Sequence, residues 1–238
     1  MKILKKHLGI FKNIKNRYLP DTEIPERGNW KHHNNNTLWL RLVGQVIVVG
    51  NSGPGDEFGK NSRLRELISY KSLLSTRKDK NIKKIIHNVL RSIGARYSSK
   101  SISKCRKTSS LLYNFQYLKN YKGGPKGFIK DIAHISKDNK KIDKIKNNIK
   151  FVKNKGARDY LMELGIIRNS IALDIRIQTV FKKVGIRVPG GLENMSILYS
   201  QIENMVLKKI CKPLKMTGVQ FDRMIYQNYD EILGYLRK

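Results

Sequence analysis

The chain of 238 residues contains few cysteines and no long apolar run. Its two cysteines, Cys105 and Cys211, form no CxxC pair, which argues against a disulfide framework and against a four-cysteine zinc or iron–sulfur site. We expect both to be small core residues. The most hydrophobic run, Val46 to Val49, is too short to span a bilayer, and no secretory leader is visible. An intracellular protein with no membrane partner is therefore expected.

Acidic residues are also scarce, because 18 Asp and Glu face 49 Lys and Arg, which gives a net charge of +31. The positive charges are spread along the chain and are not confined to a tail. A charge of this size predicts a polyanionic partner such as nucleic acid, since each phosphate contact releases condensed counterions. Part of the excess could instead reflect AT-rich coding or adaptation to heat, which would leave only a solvated basic surface.

The sequence also has little of the apolar–polar alternation that is typical of β-strands. Helical periodicity dominates, and with a hydrophobic fraction of 39% it predicts a folded, almost entirely α protein. Lysines between the apolar stripes are expected to face water. The stripes occupy residues 82–93, 102–118, 142–152 and 198–210, and Pro213 closes the last of them before a further helix capped by Thr217.

One segment, Leu40 to Val49, has the propensity of a strand because of its β-branched end. We predict a buried helix instead, since no second convincing strand exists to satisfy its backbone groups. Clusters of glycine and proline predict loops at residues 51–55, 123–127 and 189–191.

Lys155 stands out from the other lysines by its surroundings. It opens the predicted helix Lys155-Gly156-Ala157-Arg158-Asp159-Tyr160-Leu161, and Asp174 follows it by nineteen residues at the expected start of the next helix. A lysine amine can attack a sugar carbon, and a carboxylate can stabilise the positive charge that forms there. Taken singly, however, such a lysine is usually a surface residue and such an aspartate is usually only a helix cap.

The pattern Lys155-x-Ala157-x-x-x-Leu161, followed by Leu173-Asp174, resembles the helix-hairpin-helix DNA glycosylases, the superfamily of endonuclease III. Within it, the chain is most similar to the compact archaeal and bacterial 8-oxoguanine DNA glycosylase/AP lyases. The likeness runs in order from about Trp39 onward, and the first thirty or so residues have no counterpart. The matching segments are 93–97, 155–165, 172–174, 199–203 and 216–222.

The resemblance implies an all-α, two-lobed helix-hairpin-helix DNA glycosylase fold. Residues 1–60 would pack with residues 156–238 as one lobe, and residues 61–155 would form a middle lobe that ends in the hairpin. It further implies an enzyme that excises oxidised guanine (8-oxoguanine) from double-stranded DNA. We expect this enzyme to act as a monomer without a cofactor, and we assign no residue as a metal ligand. Lys155 would form a Schiff base that leads to β-elimination, and Asp174 would stay ionised and stabilise the sugar cation or relay a proton.

For this chemistry the pKa of Lys155 would have to be lowered, and burial, a helix N-terminus, Lys153 and Arg158 are the expected causes. The resemblance also implies that Lys153, Asn154, Gly156 and Arg158 bind DNA around the hairpin. The stretch Phe151-Val152-Lys153-Asn154 departs from the family in having no glycine, and Asn154 could take the left-handed conformation there.

The same resemblance assigns Asn51 as the wedge that fills the space left by an extruded base, although an ordinary turn residue is an equal alternative. It assigns the base pocket to Asp222, to Tyr226, where tryptophan is more usual, and to Lys238. For Asp222 a plain helix-surface carboxylate is a comparable reading. Two other functions remain open: a glycosylase for a different damaged or mismatched base, and a non-enzymatic basic protein that only grips nucleic acid phosphates.

Overall fold

The computed structural model describes residues 3–237, and this range contains helices and connecting segments without a β-strand. The all-α prediction is therefore confirmed. In chain order the α-helices of this range are α1 (Lys5–Tyr18), α2 (Asn35–Ile47), α3 (Gly53–Lys60), α4 (Ser62–Leu67), α5 (Tyr70–Ser75), α6 (Asp79–Ser92), α7 (Arg106–Asn120), α8 (Gly124–Ala133), α9 (Asp138–Asn148), α10 (Asn154–Glu163), α11 (Ile175–Lys183), α12 (Ser196–Val206), α13 (Gly218–Gln227) and α14 (Tyr229–Tyr235). Short 3₁₀ helices span Asn29–His32 and Leu192–Asn194, and a π-helical turn, Leu207–Cys211, continues α12.

The chain divides into two compact units: Met1–Asn29 together with Lys153–Lys238, and Trp30–Val152. We call the first the terminal unit and the second the middle unit. Residues 30–60 belong to the middle unit, whereas the sequence analysis expects them to pack with the C-terminal helices. The reason is the core of the middle unit, where the fully buried indole of Trp39 packs on Phe115 and donates a hydrogen bond to the carbonyl of Ile68 at 2.8 Å.

The segment with strand propensity forms α2, as predicted. Asn34 caps it by accepting a hydrogen bond from the backbone N–H of Thr37 at 2.9 Å. Apolar side chains around most of the helix are buried, among them Leu42, Val43 and Val46. Tertiary packing of an α-helix thus overrides the local preference of the β-branched residues.

Two of the three predicted loops are wrong. The glycines and prolines at 53–55 and 124–127 form the first turns of α3 and α8. The physical reason is that proline is well suited to a first helical turn, because its φ is already helical and the N–H that it lacks would have no partner there. The third predicted loop, at residues 189–191, lies outside the helices.

The expectation that lysines face water fails at Lys107, whose side chain is fully buried in the middle unit. Its ammonium donates hydrogen bonds to the carbonyls of Ile47 at 2.7 Å and Val49 at 3.0 Å, at the end of α2. Burial lowers the pKa of Lys107 to about 8. The lysine therefore serves as a buried cap for carbonyls that α2 leaves without partners.

The core of the terminal unit is centred on three aromatic rings from α1, α11 and α13. Phe11 lies 5.9 Å from Phe181 and 5.5 Å from Phe221, measured between ring centroids. Thr217 caps α13, as predicted, and forms a capping box with Gln220. The packing of the three rings joins α1, α11 and α13 in one core. No helix within residues 3–237 is both long and apolar enough to cross a membrane.

Candidate active site

Lys155 lies in the first turn of α10, and a carboxylate one turn further along holds its amine. Nζ of Lys155 donates to Oδ2 of Asp159 at 3.2 Å. The other oxygen of Asp159 accepts a hydrogen bond from the guanidinium of Arg223 on α13 at 2.8 Å. The lysine side chain is 25% exposed, so its amine is partly shielded and still reachable.

The electrostatic surroundings of Lys155 are acidic, not cationic as the sequence analysis expects. Burial by itself lowers the pKa of the amine, but the carboxylates of Asp159, Asp174 and Asp222 outweigh burial and raise the pKa above its ordinary value. The prediction of a lowered pKa is therefore wrong for the free protein. These carboxylates favour the ammonium form of Lys155, and neutralising one of them would lower the pKa of the amine.

Asp174 is the N-cap of α11, as the sequence predicts. Its Oδ1 accepts hydrogen bonds from the backbone N–H groups of Arg176 and Ile177, each at 3.0 Å. The cap fixes the carboxylate at the start of the helix, where it acts electrostatically on Lys155. The structure thus brings together the two residues to which the resemblance assigns the chemistry.

Asp222 on α13 also acts on Lys155, and it is only 3% exposed. Its Oδ2 accepts a hydrogen bond from the backbone N–H of Ala172 at 2.7 Å. Burial raises the pKa of Asp222 to about 7, with Asp159 and Asp174 adding to the rise and Arg223 opposing it. Asp222 is therefore not the helix-surface carboxylate that the sequence analysis allows, and at neutral pH it can hold or release a proton.

The start of α10 is closed by Glu193, which the sequence analysis did not single out. Both oxygens of this carboxylate accept a hydrogen bond from the backbone N–H of Lys155, at 2.9 and 3.2 Å. Asn154 is buried, and its amide donates to the carbonyl of Glu193 at 3.0 Å and to Ser196 Oγ at 3.1 Å. Asn154 is therefore a structural anchor of the helix start.

The left-handed residue of the hairpin is Phe151, with φ of 66°, and Asn154 instead forms the first residue of α10. The left-handed conformation was predicted for the wrong residue, because the packing of Asn154 on the segment around Glu193 is not visible in local sequence. Lys153 is exposed, and its ammonium donates to the side-chain oxygen of Asn194. Gly156 is half-buried in the first turn of α10.

Arg158 does not face Lys155 and is not free to bind DNA, which corrects both roles expected for it. It is 3% exposed, and its Nε and NH2 groups form bonds of 2.8 to 3.0 Å to the carboxylate of Glu203. Its guanidinium also lies over the ring of Tyr199 at 4.2 Å. Ser170 and the backbone of Ile171 donate to the same carboxylate, so Glu203 ties α10 to the segment that leads to Asp174.

Tyr226 is the exposed aromatic residue of the predicted base pocket. It lies on α13 with 46% of its surface accessible, and the guanidinium of Arg176 is 4.3 Å from its ring centroid. Such a ring offers one face for stacking and a cation beside it. The third predicted pocket residue, Lys238, lies outside the described residues.

Asn51 lies in the middle unit just after α2. Its side chain is exposed, and its Oδ1 accepts a hydrogen bond from the backbone N–H of Gly53 at 3.1 Å. The preceding Gly50 has φ of 89°, and its carbonyl accepts a hydrogen bond from Arg96 at 3.0 Å. The tip of this turn is therefore fixed by contacts within its own unit.

Sequence reasoning missed four residues of the site. The spacing of four between Lys155 and Asp159 is a local signal that could have found the ion pair. Arg223, Glu193 and Glu203 are far away in sequence and carry no motif, so only the fold reveals them.

No protein-family model matches the chain, and no curated protein sequence matches it. Among solved structures, the chain is similar to the 8-oxoguanine DNA glycosylase of Methanocaldococcus jannaschii, with a TM-score of 0.65, 16% identity and coverage of 92% of this chain and 91% of that one. It is also similar to the 8-oxoguanine DNA glycosylase of Thermotoga maritima, with a TM-score of 0.64, 16% identity and coverage of 93% of both chains.

A third similar structure is the M. jannaschii 8-oxoguanine glycosylase/lyase in complex with a 15mer DNA containing 8-oxoguanine. Its TM-score is 0.62 at 14% identity, and the match covers 93% of this chain and 92% of that one. The chain therefore has the fold of the archaeal and bacterial 8-oxoguanine DNA glycosylases, as the resemblance predicts. At these identities the likeness is one of fold.

Proposed function

We propose that the protein is a DNA glycosylase with AP-lyase activity, and that it removes 8-oxoguanine from double-stranded DNA as a monomer. The observation that carries the proposal is the amine of Lys155 set among Asp159, Asp174 and Asp222 in a chain with this fold. An amine and a fixed carboxylate are the two groups that nucleophilic displacement at a sugar carbon requires. The net charge of +31 supports a DNA substrate.

In the first step the base leaves C1′ of the damaged nucleotide, and the nitrogen of Lys155, once it has given up a proton, bonds to that carbon. The bond from C1′ to the base breaks with its electron pair on the base, which leaves with the proton given up by the lysine ammonium. Positive charge develops on the sugar as this bond breaks, and the carboxylate of Asp174 stabilises it. The N-cap bonds hold that carboxylate in one orientation, so little reorganisation is needed.

In the second step the C1′–O4′ bond breaks, and O4′ takes up the proton lost by the lysine nitrogen. This leaves a Schiff base between Lys155 and C1′. Water then takes up a C2′ proton, the electron pair of the C2′–H bond forms a C2′–C3′ double bond, and the C3′–O bond breaks as the 3′ phosphate leaves with its electron pair. The strand is cut by this β-elimination, and hydrolysis of the imine frees Lys155.

The raised pKa of Lys155 fits a proton that stays on the lysine until the base departs. Asp159 and Asp222 act on this proton through charge and are positioning residues in the proposal.

The proposal also assigns the residues that contact DNA. Tyr226 stacks on the extruded base, with Arg176 beside its ring. Asn51 is the wedge, and exposed Lys153 binds a phosphate near the start of α10. Gly156 offers backbone in the first turn of that helix, whereas the burial of Asn154 and Arg158 gives these two residues a supporting role. The choice of 8-oxoguanine rests on the three similar structures, each an 8-oxoguanine glycosylase.

A panel of duplexes, each with one 8-oxoguanine, oxidised pyrimidine, uracil or abasic site, tests the proposal. Sodium borohydride should trap a covalent complex with the 8-oxoguanine duplex and with the abasic duplex, and Lys155→Gln should trap none. Trapping with another lesion but not with 8-oxoguanine would overturn the base assignment. No adduct with any duplex would overturn the enzyme and leave a protein that only binds nucleic acid.

A further inference from the structure

A concave pocket in the terminal unit is lined by lysines and has no part in the site around Lys155. It lies between α1 and the segment after the π-helical turn, and its volume of about 420 Å³ is that of a small ligand site. No acidic residue is among the described residues that line it. Its lining is Lys5, Leu8, Gly9, Lys12, Lys15, Asn16, Pro213, Leu214 and Lys215.

The positive charge of this pocket is not neutralised by its own segments. Residues 3–20 and 204–221 contain no Asp or Glu. The ammonium of Lys15 donates to the neutral carbonyl of Leu214 at 2.7 Å, which leaves its positive charge uncompensated by that contact. Four like charges around one concavity repel one another and attract an anion strongly.

Gly9 lines the pocket without contributing a side chain. It lies on the same face of α1 as Lys5 and Lys12, four residues after the first and three before the second. A Cβ built on Gly9 meets nothing within 4 Å, so internal packing does not require a glycine. Since glycine weakens a helix interior, its use here leaves room between two lysines for a close-approaching ligand.

Lys215 holds the opposite side of the pocket in a strained conformation. Its φ is 50°, in the left-handed region that a glycine adopts at much lower cost. Residues with strained backbone conformations of this kind occur often at functional sites. Here it keeps a cation at a position where the backbone alone would favour glycine.

We propose that this lysine pocket binds backbone phosphates of DNA and adds an interaction surface to the one around Lys155. The inference rests on the proposed function, which makes DNA the polyanion that the protein meets. The sugar–phosphate backbone fits the mixed lining, since phosphates bind lysine ammonium groups and the deoxyribose can contact Leu8 and Pro213. Backbone contacts of this type fix the position of a protein on a duplex without reading its sequence.

The sharpest test changes the shape of the pocket without changing its charge. Gly9→Leu fills the open space, strengthens the helix and leaves every lysine in place. Gly234→Leu is the matched control, because Gly234 is also an exposed helical glycine of the terminal unit with nothing within 4 Å of its Cβ. We expect Gly9→Leu to raise the Kd for an undamaged duplex roughly fivefold at about 0.1 M salt, and Gly234→Leu to leave it unchanged. Equal Kd values for both variants would overturn the pocket.

A second arm removes the charge without disturbing the fold. Lys215→Gly suits the left-handed backbone, so its thermal midpoint should equal or exceed that of the wild type. Combined with Lys5→Gln and Lys12→Gln, it should lower the slope of log Kd against log salt by about 2 to 3, close to one unit for each lost phosphate contact. The control replaces three exposed lysines of the middle unit, Lys71, Lys80 and Lys84, by glutamine. The same fall in slope for the control would show diffuse electrostatics only and would overturn the pocket.

Two further readouts separate this inference from the proposed function. A wild-type protein that traps no borohydride adduct, while Gly9→Leu still weakens duplex binding, would overturn the enzyme and support the pocket. Normal trapping by the wild-type protein, with duplex binding unchanged in Gly9→Leu, would support the enzyme and overturn the pocket. Loss of binding to anionic phospholipid vesicles in Gly9→Leu, with duplex binding intact, would overturn DNA as the ligand.

Discussion

The amine of Lys155 lies 3.2 Å from the carboxylate of Asp159, one turn away on the same helix. This pair changes the expected electrostatics of the site, because the nucleophile is held charged by its neighbours and is not made neutral by nearby cations. Arg223 fixes the carboxylate from the other side at 2.8 Å, so the pair cannot easily open by rotation of Asp159. The proton of Lys155 thus becomes part of the proposed chemistry.

Asp159→Asn should lower the pKa of Lys155, since the largest effect that opposes burial is removed. At any pH below the pKa of Lys155 more of the amine is then neutral, so borohydride trapping should be faster in Asp159→Asn than in the wild type. The rate of trapping over pH 5 to 9 on an abasic duplex measures this shift. Asp143→Asn is the control, because Asp143 pairs with Lys146 on the surface of α9. A profile that does not move in Asp159→Asn would contradict the role of the ion pair.

Asp174→Asn should separate the chemistry of this residue from its structural role. Asparagine is an equally good N-cap, so the free energy of unfolding should change by less than about 0.5 kcal/mol. Loss of the negative charge at the sugar should reduce the single-turnover rate of base release by about 10² to 10⁴. Asp174→Ala, which also loses the cap, should in addition destabilise the protein by about 1 kcal/mol. Wild-type base release by Asp174→Asn would remove Asp174 from the mechanism.

Asp222 should give the stability of the protein an unusual dependence on pH. Its folded-state pKa of about 7 lies above the ordinary value of 3.8, so between these values the folded state binds the extra proton. Stability is therefore highest below about pH 4 for this group and falls as the pH rises towards 7. Between pH 5 and 8, urea unfolding should show a loss of about 2 kcal/mol relative to Asp222→Asn, which cannot ionise. Parallel stability curves for both proteins would refute the raised pKa.

Glu203→Gln should destabilise the protein by about 3 to 5 kcal/mol, because it leaves the buried guanidinium of Arg158 without its counter-charge. The variant keeps the shape of the side chain, so the loss reports on charge. Chemical denaturation gives the change in free energy. The salt dependence of duplex binding should remain that of the wild type, since neither Arg158 nor Glu203 reaches the surface. If Glu203→Gln is as stable as the wild type and its duplex binding depends less on salt, Arg158 is a DNA contact after all.

The helices of the fold were predictable because their apolar residues recur at helical spacing, as Ile82, Ile86 and Val89 do along α6. The cap residues Asp174 and Thr217 were predictable for the same local reason. Gly-Pro pairs misled the prediction, because the same residues serve loops and first helical turns. The buried Lys107 could not be foreseen, since its partners are carbonyls some sixty positions earlier in the chain.

The site was predictable only where a residue carries its own signal. Lys155 and Asp174 do so through their flanks and spacing, and the structure brings them together. The burial of Arg158 depends on Glu203, forty-five positions later, and the closure of α10 depends on Glu193. The sign of the pKa shift of Lys155, which the sequence analysis predicted wrongly, is set by Asp159, four residues along the same helix, together with the more distant Asp174 and Asp222.

The identity of the lysine that bonds to DNA tests the central claim most directly, because the chain offers many other lysines. The complex trapped by borohydride on an abasic duplex can be digested with nuclease and protease, and the modified peptide located by mass spectrometry. We predict that the sugar remnant lies on Lys155 alone. A remnant on any other lysine, or one that persists in Lys155→Gln, would contradict the assignment of the nucleophile.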